Sequence, residues 1–261
     1  MLKVYILGFI VGVFLLIVAG VGGYQAKRNE VEQAKKDVEQ AKYKAELVDA
    51  TPADSFVLTD QQRIHSNLHT YYRQVRGDKT ISGLTELATN YSKIIETRIH
   101  VGLGPVLEPE TPEHYFGELS QASQAVIQGK VRDRVSYITE DDGFILTDYQ
   151  IVVTEVLKNN EVRPIDPGTI ITVTHPGGKV LLSGIIIKAV DDSFEPLPAS
   201  SELVLFLQYI PETATYKATR NTGSFEVTDQ TFKPLTKSTF PPGVLRGKDS
   251  FMQTVRAMSK N

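Results

Sequence analysis

The amino-acid sequence predicts an α+β protein in which an N-terminal transmembrane helix, a helical stalk and a helical hairpin precede a small antiparallel β-barrel or sandwich. Three observations support this prediction. An uncharged apolar run stands near the N-terminus, helical periodicity with few turn residues follows it, and from residue 119 onward β-branched residues alternate with polar ones. The expected segments are an anchor (1–26), a stalk (27–50), a hairpin with a linker (51–118), a β-barrel domain (119–240) and a tail helix (241–261).

The composition is that of a folded, globular chain. Its 261 residues are 41% hydrophobic and 23% charged, and the formal net charge is -3. So weak a net charge gives no overall attraction to nucleic acid or to acidic lipid. Because the chain contains no cysteine, disulfides, thiolate catalysis and cysteine-bound zinc or iron–sulfur clusters are excluded.

The apolar run at residues 4–23 predicts a single-pass membrane anchor. As a helix, these 20 uncharged residues span about 30 Å, the thickness of the hydrocarbon layer. A cleaved signal peptide is the alternative, although its apolar stretch is usually shorter. Gly8 and Gly12 form a small-xxx-small pair through which two such helices could pack, which leaves a weak homodimer open. The cations that follow the run favour a cytoplasmic soluble domain, but long domains can cross a membrane despite such a bias.

Residues 28–50 contain no Gly or Pro and predict an exposed helix. Its apolar side chains recur in steps of three and four, and they are Val31, Ala34, Val38, Ala41, Ala45 and Val48. Such a stripe could pair with a second copy of the chain. It covers fewer than three heptads with mainly small side chains, so we expect a solvated stalk rather than a stable coiled coil.

Two further helices are expected to form a hairpin. Thr59 can cap the first, which ends near Gly77, and the second runs from about Ser82 to Ile99. The Gly and Pro residues at 102–112 indicate a loop or linker after it.

Beyond Leu119 the pattern predicts seven strands separated by turn sequences such as Pro176-Gly177-Gly178. The expected strands are 125–137, 144–157, 169–174, 180–187, 202–209, 214–219 and 224–228. Short strands at such spacing indicate a sandwich or a closed barrel. Phe251, Val255 and Met258 then share one face of a short tail helix.

Four stretches carry a resemblance to a known domain, namely 125–131, 147–158, Pro176-Gly177-Gly178 and 203–207. Over about residues 120–230 the chain resembles a netrin-like or OB-type β-barrel domain of uncharacterised exported bacterial proteins. The resemblance implies an extracytoplasmic location. The shared motifs are strand cores and a turn, so it implies no catalytic residue, and without cysteines it does not extend to the inhibitor functions of netrin-like modules.

His65 and His69 are the candidate metal ligands. Four residues apart, they share one helical face, which is the spacing at which zinc proteases begin. The glutamate of that motif is missing, and the third ligand would have to come from elsewhere in the chain. We therefore expect both histidines to make hydrogen bonds, and we predict neither a metal nor another cofactor.

Lys130, Arg132 and Arg134 alternate along one strand, so all three are expected on one side of the sheet. This basic stripe could hold a polyanion, whereas a solvated face near acidic neighbours is the simpler interpretation. Nucleic acid is not expected as a partner, because the strand offers no aromatic side chains for base stacking.

These observations predict a membrane-anchored envelope protein whose non-enzymatic, extracytoplasmic β-barrel binds a protein or an envelope polymer. A membrane-anchored hydrolase that uses a metal through His65 and His69 is the first alternative. The second is a cytoplasm-facing adaptor that uses the apolar stripe and the basic strand. A bound metal would favour the hydrolase, and protease accessibility in intact cells would separate the adaptor from the envelope protein.

Overall fold

The structure is a computed structural model with two compact units, one ending at Asp49 and the other beginning at Ala50. It describes residues 30–54, 56–76, 83–90, 93–99, 111–191, 195–199, 201–219, 222–236 and 247–259. In the first unit, helix α1 covers residues 30–47, and every residue from 30 to 42 is exposed.

In the part of the chain that the structure describes, no helix is long and apolar enough to cross a membrane. The predicted anchor at residues 4–23, with Gly8 and Gly12, lies outside that part. The described residues therefore do not support the prediction of a single-pass, membrane-anchored protein. Membrane anchoring forms no part of the function proposed below.

The second unit combines helices with two β-sheets. Its helices are α2 (Asp60–Arg76), α3 (Leu84–Asn90), α4 (Pro112–Gln121) and α5 (Lys248–Ser259). Its strands are β1 (Thr51–Pro52), β2 (Ile94–Ile99), β3 (Ala125–Ile138), β4 (Ile145–Lys158), β5 (Ile170–Pro176), β6 (Gly178–Leu182), β7 (Ile185–Asp191), β8 (Glu202–Ile210), β9 (Thr215–Ala218), β10 (Ser224–Val227) and β11 (Phe232–Pro234).

Five strands of the larger sheet close into a ring in the order β3-β4-β5-β9-β8, because β8 pairs with both β9 and β3. Their pairings are antiparallel except for the parallel contact between β5 and β9, where Val173 stands opposite Tyr216. β10 and β11 extend the sheet beyond β8. Alternate side chains point into the ring and form its apolar core, which includes Ile127, Ile151 and Leu205.

The smaller sheet has the order β1-β6-β7-β2 and corrects the prediction of one antiparallel barrel or sandwich. Two of its three pairings, β1 with β6 and β2 with β7, are parallel. The single strand predicted at 180–187 is a hairpin whose turn, Ser183-Gly184, has positive φ at both residues. Such a two-residue turn suits the twist of the strands on either side of it.

The predicted helical hairpin is also wrong. Its second helix, expected from about Ser82 to Ile99, is the short helix α3 followed by strand β2. β2 lies in register with β7 from Ile94 opposite Ile186 to Ile99 opposite Asp191. The β-branched residues fit both periods, and the sheet pairing decides between them.

Helices α4 and α5 pack on the face of β8 and β10 that points away from the ring core. Thr111 caps α4 by accepting a hydrogen bond from the His114 amide, and Pro112 occupies the first turn, where its missing N–H costs nothing. An aromatic cluster joins the two helices to the sheet, with the ring of Phe116 5.5 Å from those of Phe225 and Phe251. This packing fixes the position of α5 beside β3 and β4.

Candidate functional site

The N-terminus of α2 is a capping box. The Gln62 side chain accepts a hydrogen bond from the Thr59 amide (3.0 Å), and the Thr59 hydroxyl accepts one from the Gln62 amide (3.2 Å). These two bonds set the direction in which α2 leaves the preceding loop. They also hold the Gln62 side chain over the ring.

A buried carboxyl group lies beneath this helix. Asp148 of β4 accepts hydrogen bonds from the Thr174 hydroxyl (2.6 Å), the Gln62 side-chain amide (3.3 Å) and the Tyr137 hydroxyl (3.5 Å). Burial raises the pKa of Asp148, and the three hydrogen bonds oppose that rise. The carboxyl group thus joins α2 to β3, β4 and β5.

His65, one of the two predicted metal ligands, lies on the buried face of α2 with 6% of its surface exposed. Its Nε2 atom is 2.7 Å from the Thr215 hydroxyl, which is itself 2.7 Å from that of Thr213. Burial lowers the pKa of His65 to about 4, against a weaker opposing attraction to Glu212. The imidazole is therefore neutral near pH 7, and a threonine hydroxyl occupies Nε2, one of the two nitrogens through which an imidazole can bind a metal.

The pairing of His65 with His69 as metal ligands stays a prediction. The side chain of His69 lies outside the described part of the chain. Among the residues that are described, no three His, Cys, Asp or Glu side chains are grouped closely enough to hold a metal ion.

Polar contacts of α2 also reach two loops of the ring. The Gln61 side-chain amide donates to the Thr213 carbonyl in the β8–β9 loop. The Ser66 hydroxyl accepts from the Glu140 amide, 3.1 Å away, in the β3–β4 loop. α2 therefore contacts both loops as well as the outer side of β4.

The three cations of the predicted basic stripe do not share one side of the sheet. Arg132 lies at a β-bulge, where two residues of β3 stand against one of β4 and the alternation of side chains is shifted. Beyond the bulge Arg134 stands opposite Tyr149, which belongs to the ring core. Before the bulge Lys130 attracts the Glu202 carboxylate of β8. Polyanion binding by these cations stays a prediction, but the three cations do not form the single face that this prediction assumed.

A groove of about 590 Å³ lies between α5 and the outer side of β3 and β4, and we call it the α5 groove. Its charged lining consists of two cations, Lys248 and Arg256, and two anions, Glu155 and Asp249. Arg256 binds Glu155 through two hydrogen bonds of 2.8 and 3.2 Å.

Uncharged side chains complete the α5 groove. Gln128 and Gln253 supply amide groups, Met252 supplies a buried apolar surface, and the small Ala257 leaves its part of the groove open. Sequence reasoning did not find this site. The tail helix was expected, but its neighbours Gln128 and Glu155 come from strands more than 90 positions earlier in the chain, and no local motif connects them to it.

Comparisons of the chain with protein-family models, with curated proteins and with solved structures found no match. The resemblance to a netrin-like or OB-type domain therefore stays a prediction.

Proposed function

We propose that the chain is a non-enzymatic binding module that holds a segment of another protein in the α5 groove. The observation that carries the proposal is the lining of this groove, in which paired charges and amide groups surround an apolar surface. Backbone amides and mixed side chains of a peptide can satisfy such groups, and the buried Met252 makes the floor of the groove apolar.

The balance of charge in the groove favours a protein over a polyanion. Two cations face two anions there, and the cations already bind carboxylates, since Lys248 lies 3.2 Å from Glu202 and Arg256 is paired with Glu155. A polyanionic polymer would have to displace these carboxylates or lie against them. A protein segment can instead carry charges of both signs.

The position of α2 supports the same choice. In the ring order β3-β4-β5-β9-β8 we interpret β4 and β5 as the second and third strands of an OB-type barrel, whose face and adjoining loops commonly bind oligonucleotides or oligosaccharides. Here helix α2 occupies that region through the hydrogen bonds that Gln61, Gln62 and Ser66 make with the ring and its loops. A polymer would therefore compete with the helix of the same chain, whereas the α5 groove is open.

The test is a selection of peptides from a phage-displayed random library on the full-length chain. Ala257 is exposed and lines the groove, so Ala257→Trp fills the groove with little effect on the core. We expect the affinity of the selected peptides for this variant to be lower than for the wild type by about tenfold or more, because the substitution blocks the centre of the interface.

The matched control is Val57→Trp. Val57 is 76% exposed and does not line the groove, so this substitution adds the same side chain elsewhere. Peptides that bind wild type and control equally but lose affinity for Ala257→Trp would support the proposal. A selection that yields no peptide, or only peptides that Ala257→Trp binds as well as the wild type, would refute it.

No observation on the described residues favours the hydrolase or the adaptor. His65 is neutral and hydrogen-bonded on the buried face of α2, and the basic residues of β3 are divided by the bulge.

A further inference from the structure

Helix α1 leaves the apolar residues of its stripe exposed. Every residue from 30 to 42 is exposed, and the large apolar side chains Val31 and Val38 are 53% and 69% exposed. An isolated helix of this length is marginal in water, because most helical stability in proteins comes from burial of an apolar face. The exposed stripe defined above is the face available for that burial.

The stripe follows heptad positions a and d. Within α1, Val31, Val38 and Ala45 occupy a, whereas Ala34 and Ala41 occupy d, and Val48 follows in the turn after the helix. β-branched residues at a favour two-stranded parallel coiled coils. The same numbering assigns the flanking positions e and g, whose charges decide partner and orientation.

The flanking charges are complementary between two parallel copies. In that arrangement each g residue faces the e residue five positions later in the other helix. Glu30 then faces Lys35 and Asp37 faces Lys42.

We propose that α1 binds α1 of a second copy of the chain as a parallel, in-register, two-stranded coiled coil. An antiparallel pair would instead bring e against e, which places Lys35 beside Lys42. The stripe is short and its side chains are small, so the charges contribute much of the specificity. The association is consequently weak, and it decreases with protein dilution and with added salt.

The natural absence of cysteine allows a direct test by disulfide crosslinking of the full-length chain. In the proposed dimer Val31 of one copy lies against Val31 of the other, so Val31→Cys crosslinks under mild oxidation. In an antiparallel pair the two cysteines would lie near opposite ends of the helix. Lys36→Cys, on the outer side at position f, is the matched control and gives little dimer.

Charge reversal tests the register. Lys35→Glu with Lys42→Glu, added to Val31→Cys, turns four attractions in the dimer into repulsions and lowers crosslinking about tenfold. Glu30→Lys with Asp37→Lys has the same effect, but a mixture of the two reversed chains crosslinks again. Equal crosslinking of Val31→Cys and Lys36→Cys, or no recovery in the mixture, would overturn the proposal.

Discussion

At the scale of single residues, two titratable groups are buried between α2 and the ring, and both form hydrogen bonds with neutral side chains. Asp148 has its pKa raised by burial, whereas His65 has its pKa lowered to about 4. Each shift favours the uncharged form, as expected where charge is removed from water. The hydroxyl groups of Thr174 and Thr215 lie within 2.7 Å of these side chains and replace part of the lost hydration.

The lowered pKa of His65 predicts a loss of stability in acid. Between pH 6.5, the ordinary pKa, and about pH 4, the unfolded chain binds a proton that the folded chain does not, so the free energy of unfolding falls as the pH falls. In His65→Gln this contribution is absent, while the amide can still bind Thr215. We expect the stability of the wild type to fall by about 2 to 3 kcal/mol more than that of His65→Gln over this range.

Urea unfolding of both proteins across this pH range measures the difference. All other titrating groups are shared, so their contributions cancel in the comparison. Parallel pH profiles of wild type and His65→Gln would show that His65 titrates equally in the folded and unfolded chain. The same pair of proteins, analysed for bound metal, tests the hydrogen-bonding role against the metal-ligand alternative.

At the scale of elements, the β6–β7 hairpin is held against the ring by a close approach of its backbone. Gly178 has φ of 139°, and a Cβ atom there would overlap the hydroxyl groups of Thr147 and Ser136. These two hydroxyls lie 2.8 Å apart, and that of Thr147 also donates to the Gly177 carbonyl. Only glycine combines this φ with this contact.

Gly178→Ala should therefore destabilise the protein more than Gly184→Ala. Gly184, in the β6–β7 turn, also has positive φ, but a Cβ atom there would meet nothing within 4 Å. Both variants carry backbone strain, and only Gly178→Ala adds a steric overlap, for which we expect a further cost of about 1–3 kcal/mol. Thermal unfolding measures the difference, and equal losses for the two variants would contradict the packing described here.

The elements that sequence patterns located well are those with one dominant signal. Strands β3, β4 and β8 each combine β-branched residues with a clear turn at the end, and their bounds lie within one residue of the expected ones. β2 was assigned to a helix because Ile94, Ile95 and Ile99 satisfy either period. Its strand conformation comes from β7, which lies more than 90 residues away, and no local signal shows that pairing.

At the scale of the whole molecule, the site depends on contacts that join distant parts of the chain. The α5 groove requires α5 to lie beside β3 and β4, which follows from the packing of Phe251 against Phe116 and Phe225. The sequence indicated the apolar face of α5, but not the strands that receive it. In the same way, the four-residue spacing of His65 and His69 indicated a shared helical face, but not that threonine hydroxyls lie beneath it.

The covering of the ring by α2 has the same origin. The Thr59 cap could be recognised from its neighbours, whereas the contacts of Gln61 with Thr213 and of Ser66 with Glu140 join segments 74 or more residues apart. Because α2 occupies this part of the ring, the α5 groove is the surface that is open to a partner. We therefore propose the α5 groove, rather than the ring, as the surface that a partner uses.

A crystal structure of the full-length chain with a selected peptide tests that claim most directly. We predict that the peptide lies between α5 and the strands β3 and β4, within contact distance of Arg256 and Ala257. A peptide bound instead at these loops of the ring, with α2 displaced from Thr213 and Glu140, would contradict the account and assign binding to the ring.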